Sequence, residues 1–115
     1  MPELNGTTRR LHLEGPDGPL TCYASLNRDD AGTLAQLIIC ANKQGTMEHG
    51  LLHCMGLLVT LCLQAGVPAE RVIGTLRSVE FEPCGITGTQ DIPMVRSVAD
   101  YVAKWMEAQV AQGQN

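Results

Sequence analysis

The chain has 115 residues, 44% hydrophobic and 17% charged. That is enough for one compact core and too few for two, and too apolar for a disordered segment. A formal charge of -4, with Arg9 and Arg10 the only adjacent cations, excludes a basic nucleic-acid footprint.

The opening "MPELNGTTRR" lacks the apolar run of a signal peptide, and Gly50 to Ala65 is too short and too interrupted for a transmembrane helix. A cytoplasmic protein with no membrane and no nucleic-acid partner is expected. Cys22, Cys40, Cys54, Cys62 and Cys84 are odd in number, scattered and without a CxxC pair, which argues against a disulfide framework or a zinc ribbon.

In chain order, "TTRRLHLE" places Leu11 and Leu13 on one face of a strand. The turn "GPDGP" reverses the chain into "LTCYASL", where Leu20, Cys22, Ala24 and Leu26 share a face. "NRDDAG" makes a second turn before "TLAQLIICA". Short connections of this kind predict a three-stranded antiparallel meander.

After "NKQG" the period changes. Thr46 is the expected N-cap of a first helix, with Glu48 at the positive end of its dipole. Leu51, Met55, Leu58 and Cys62 recur at helical spacing beside Leu52, Val59 and Leu63. So wide a stripe predicts a helix covered on more than one side, and Gly50 and Gly56 leave room for a second helix to pack closely. Gly66 ends this helix, and Pro68 opens a shorter one, "PAERVIGTLRS". Asp91 is the expected N-cap of a third, with Pro93 in its first turn and Val95, Val98, Val102, Trp105 and Met106 as its apolar stripe. The predicted fold is α+β: a three-stranded antiparallel meander followed by three helices packed on one sheet face. It forms one domain over residues 1–115, with an ordered core from about residue 7 to about residue 110.

Candidate chemistry is sparse. His49 and His53 share a helix face and could share a metal, but Cys54 lies about 100° away and the HExxH order is absent. A hydrogen-bonded histidine pair is the plainer reading. Cys84 sits in a Gly-flanked loop, yet Glu80 and Glu82 would raise rather than lower its pKa, so an incidental thiol is the plainer reading. "GITGTQD" could hold an anion on the amides of Thr87 and Gly88, with Lys43, Gly45 and Thr46 of "NKQGT" as further contacts. It lacks the ending of a P-loop, and Asp91 would compete at the helix start. Arg96, Asp100, Lys104 and Glu107 fall mostly on one side of the last helix, as a solvated face, or with Asp100 half-buried and paired with Arg96. Trp105 and Met106 suit either the core or an interface.

"FEPCGITGTQDIPMVRSVADYVAKWM" resembles a stretch near the C-terminus of adenosylcobalamin-dependent (class II) ribonucleotide reductases, the TSCPD domain. The shared positions are Phe81, Glu82, Pro83, Gly85, Thr87, Gly88, Asp91, Ile92, Ser97, Asp100, Tyr101 and Trp105. "NKQGT" and "LVTLCLQAGVPAERVI" resemble upstream segments of the same region, with Thr60 and Cys84 standing where the reductases commonly have serine, and Gln90 in place of a proline.

The resemblance implies that Phe81, Pro83, Gly85, Asp91, Ser97 and Asp100 are a structural motif and that Cys84 is not required for chemistry. It also implies that the catalytic barrel, with its radical and cobalamin sites, lies outside this chain. No catalytic residue and no cofactor are then expected here. The expected role is a stand-alone accessory or regulatory domain in ribonucleotide reduction, acting through contacts with a reductase catalytic subunit or with a second copy of itself, a homodimer. The alternative is a domain that binds a nucleotide or metal independently of a reductase. The run from Glu80 to Pro93 is then a connector required by the fold.

Overall fold

The computed structural model describes residues 5–16, 18–41 and 47–113. Three antiparallel strands, β1 (Asn5–Gly15), β2 (Gly18–Arg28) and β3 (Leu34–Ala41), lie in the order β1-β2-β3. Leu11 stands opposite Cys22, and Leu26 opposite Leu37. The period of two sends Leu11, Leu13, Cys22, Ala24, Leu26, Leu37 and Ile39 into the core, and leaves Tyr23, Ile38 and Cys40 exposed on the other face. The predicted meander and its buried face are both present.

Helix α1 (Met47–Gln64) begins where the change of period places it. It runs antiparallel to β3 and reaches round to that strand's open edge. The Leu37 amide donates to Thr60 Oγ1 at 3.0 Å, and the Thr60 hydroxyl donates back to the Leu37 carbonyl at 3.2 Å. One turn further on, Gln64 Nε2 donates to the Ala35 carbonyl at 3.3 Å. These edge groups would otherwise have only water as a partner. Gly56 allows the approach, since a Cβ there would sit 2.8 Å from the Leu37 carbonyl oxygen. Gly56 is thus used against the chain's own sheet, which corrects its assignment to a seam for a second helix. Gly50 stays exposed, with nothing near its missing Cβ.

Gly66, at φ +93°, ends α1. Its amide bonds the Leu63 carbonyl and the Val67 amide bonds the Cys62 carbonyl, the paired pattern of a left-handed helix stop. Pro68 then stands at the N-cap position of α2 (Ala69–Arg77), without a side-chain cap bond, and the helix buries Val72 and Ile73.

The third helix departs from expectation. It is α3 (Val98–Gly113), and it starts at Ser97 rather than Asp91. Two short strands, β4 (Gly85–Ile86) and β5 (Met94–Val95), pair antiparallel in the segment before it. α3 is the central element of the core: Val98, Ala99, Tyr101, Val102, Ala103, Trp105 and Met106 are all buried. Trp105 and Met106 therefore belong to the core, with α2 packed against their helix. Arg28 fastens the far end of α3, donating to the Gly32 carbonyl and to that of Gln109, where a cation also meets the negative end of the dipole.

Candidate functional site

The first candidate is the start of α3. Ser97 and Asp100 are both fully buried, three residues apart at the helix N-terminus. Ser97 Oγ accepts the Asp100 amide at 3.1 Å and donates to the Val79 carbonyl at 2.7 Å. The Asp100 carboxylate reaches back to the Arg96 amide at 2.8 Å. This is a capping box displaced by one residue, and it satisfies orphan amides from both directions. It replaces the expected pairing of Asp100 with the Arg96 guanidinium. Asp100 Oδ2 lies 3.2 Å from Lys104 Nζ, and Oδ1 lies 3.9 Å from Arg77 Nε. Arg77 also bridges to Glu107 at 3.1 Å, and Lys104 donates to the Met94 carbonyl at 2.9 Å. Gly74, Ser78 and Arg96 complete an open cleft of about 270 Å³. Its central carboxylate is occupied on both oxygens, so the cluster is built to join α2, β5 and α3 rather than to move protons.

Asp91, displaced from the helix start, makes a fork-to-fork pair with Arg9 of β1 at 2.6 and 2.8 Å. Hydrogen bonding to Arg9 draws the Asp91 carboxyl from 3.8 down to about 2. The same bond raises the Arg9 guanidinium above its ordinary value, and that guanidinium sits 5.7 Å from the centre of the Tyr101 ring.

The loop between β4 and β5 is held by its own groups. The Thr87 amide donates to the Pro93 carbonyl at 3.0 Å, and the Thr87 hydroxyl donates to the Ile92 carbonyl while accepting the Thr89 amide at 3.1 Å. Gly88 turns at φ +82°. Gly85, at φ +116°, opens β4, and Phe81 is half-exposed with its amide on the Arg96 carbonyl at 3.2 Å. Pro83 presses on β1: a Cβ on Gly15 would lie 2.9 Å from that of Pro83.

His49 and His53, on α1, stand apart from that loop. Lys43, Gly45 and Thr46 lie outside the described residues. The His49 and His53 rings stack parallel on α1, 6.2 Å between centres. Among the described residues no group of three or more His, Cys, Asp or Glu could hold a metal ion. Cys84 is exposed, whereas burial pushes the Cys22 thiol up to about 11.

The second candidate is the outer face of α1. Met47, Leu51, Leu57, Leu58 and Leu61 are 75%, 62%, 56%, 62% and 63% exposed, and Cys54 between them is exposed too. The wide stripe predicts a second cover, but among the described residues only the Leu52, Gly56 and Val59 side is buried. Leu57 and Leu61 carry no separate signal in the sequence, because periodicity cannot tell the covered side of a wide apolar stripe from the uncovered one. Among the described residues no helix is long and apolar enough to cross a membrane.

The model of the TSCPD domain family matches residues 5–110. Over 99 residues the chain is 28% identical to a vitamin B12-dependent ribonucleotide reductase of Rhodopirellula baltica, covering 86% of this chain and 9% of that protein. Over 97 residues it is 31% identical to the vitamin B12-dependent ribonucleotide reductases of Streptantibioticus cattleyicolor and Streptomyces coelicolor, covering 84% of this chain and 16% and 10% of theirs. The chain thus spans a small part of the length of these relatives. No solved structure matches it.

Proposed function

The chain belongs to the TSCPD domain family, and on that premise we propose that it is an accessory or regulatory unit of ribonucleotide reduction that works through protein contact. The observation that carries the reading is the outer face of α1, where five large apolar side chains are each more than half exposed. Contiguous apolar surface of this kind marks protein-binding sites. The similarity to vitamin B12-dependent reductases supplies the process. The role proposed is to bind the catalytic chain of such a reductase and alter its turnover.

Less supports a small-ligand domain. The Thr87 amide is committed within its loop, and Arg77 and Lys104 are engaged by Asp100, Glu107 and the Met94 carbonyl.

The test is titration of the purified protein into the vitamin B12-dependent reductase chain of its host, read by calorimetry and by turnover. A stoichiometric complex with altered turnover, weakened tenfold or more by Leu58→Asp, is expected. No heat and no change in turnover, or a complex indifferent to Leu58→Asp, would overturn the reading.

A further inference from the structure

At about 100° per residue, Met47, Gly50, Leu51, Leu57, Leu58 and Leu61 all fall within about 60° of the direction of Cys54. Leu52, Gly56 and Val59, buried on the sheet, point the opposite way. Cys54 is therefore the crest of the exposed face, and it is also the midpoint of that face along the helix, seven residues from Met47 and seven from Leu61.

Resting on the reading of α1 as a contact surface, we propose that in the free protein its occupant is a second copy of this chain, packed α1 against α1 antiparallel about a twofold axis through Cys54, and that a reductase chain competes with this copy for the face. An axis placed there sets Cys54 against its own equivalent and Met47 level with the partner's Leu61, and along the two flanks of the seam it brings Leu51 beside the partner's Leu58 and Gly50 beside the partner's Leu57. Every large apolar side chain of the face meets an apolar or glycine position. The one glycine, with open space around it, stands opposite a leucine. A twofold interface uses the same patch on both copies and so demands this self-matching, whereas an unrelated partner does not.

The helix dipoles favour the same arrangement, since an antiparallel pair opposes them. Glu48, the only Asp, Glu, Lys or Arg of α1, lies about 120° from Cys54 and stays off the face. The five exposed side chains of two copies remove on the order of 1,000 Å² from water, the size at which specific association begins.

The test is sedimentation of the whole protein with diamide cross-linking of a Cys40→Ser, Cys84→Ser variant, the diamide taking up two electrons and two protons as two thiols join. Twice the monomer mass is expected. So is a covalent dimer through Cys54, and a return to the monomer mass in Leu58→Asp that keeps the wild-type circular dichroism. A monomer at all concentrations that still binds the reductase chain through Leu58 would overturn the inference and leave the proposed function standing. A Cys54-linked dimer that binds no reductase would support the inference and sink the reductase role. A dimer indifferent to Leu58→Asp and not linked through Cys54 would overturn the arrangement.

Discussion

Replacing Thr60 by valine keeps the shape of the side chain and removes its hydroxyl, so it isolates what the two bonds to Leu37 contribute. Leu37 is 1% exposed, and its amide at the sheet edge donates to that hydroxyl at 3.0 Å. A buried donor left without an acceptor costs about 1–3 kcal/mol. Exchanging one β-branched residue for another is nearly neutral for the helix, so the net loss is about 2 kcal/mol. For a domain near this size that lowers Tm by on the order of 10 °C. Thr60→Ser keeps the hydroxyl and gives up one methyl, at most about 0.8 kcal/mol. Urea unfolding of both variants gives the stabilities, and amide hydrogen exchange reports on the bond itself. The Leu37 amide stays protected in the wild type and in Thr60→Ser, and exchanges faster in Thr60→Val. A Thr60→Val protein as stable as the wild type, with its Leu37 amide still protected, would refute the edge argument.

Acid stability provides a second check. The Asp91 pKa is depressed by Arg9, so its contribution is complete above about pH 4 and is lost as pH falls through about 2. The carboxylate is 59% exposed, and screening limits the pair to about 0.2–1 kcal/mol. Asp91→Asn should flatten the fall in urea midpoint between those pH values, and curves that stay parallel through this window would exclude the linkage. Thiol labelling tests the core: Cys40 and Cys84 should react with iodoacetamide in the folded protein, and Cys22, buried with its pKa pushed up to about 11, only on unfolding. Equal labelling of Cys22 would show the sheet face to be open.

The elements most legible in the sequence are those set by near neighbours. The alternation of Leu20, Cys22, Ala24 and Leu26, the turn signals on either side, and Gly66 followed by Pro68 each act over a few residues, and each element appears where it was read. The start of α3 was misread because two capping signals compete. Asp91 before Pro93 looks like a helix start, but its carboxylate is taken by Arg9, 82 residues away. The stronger local signal, Ser97 followed at the third position by Asp100, is present in "RSVAD", although Ser97 stands out there only through the family motif and Asp100 as a half-buried partner for Arg96. Lys104 stands four residues after Asp100 on the same helix, a spacing legible in the sequence, whereas the approach of Arg77 to Asp100 has no such signal because the packing of α2 on α3 creates it. The outer face of α1 was visible as an excess of apolar residues, but which half of that excess would stay uncovered depended on where β3 ended the sheet.

The laying of α1 along β3 has a further consequence for solubility at high concentration. A three-stranded sheet has two edges on which a foreign strand could grow, and growth of that kind leads to fibres. Thr60 and Gln64 occupy backbone groups of Leu37 and Ala35, and Gly56 brings the helix too close for another strand to enter. The opposite edge is β1, which carries the exposed Arg10, and an added strand bearing the same cation would repel. A hydroxyl, a side-chain amide and a missing methyl on α1 thus guard the chain against stacking on the side where no charge does so.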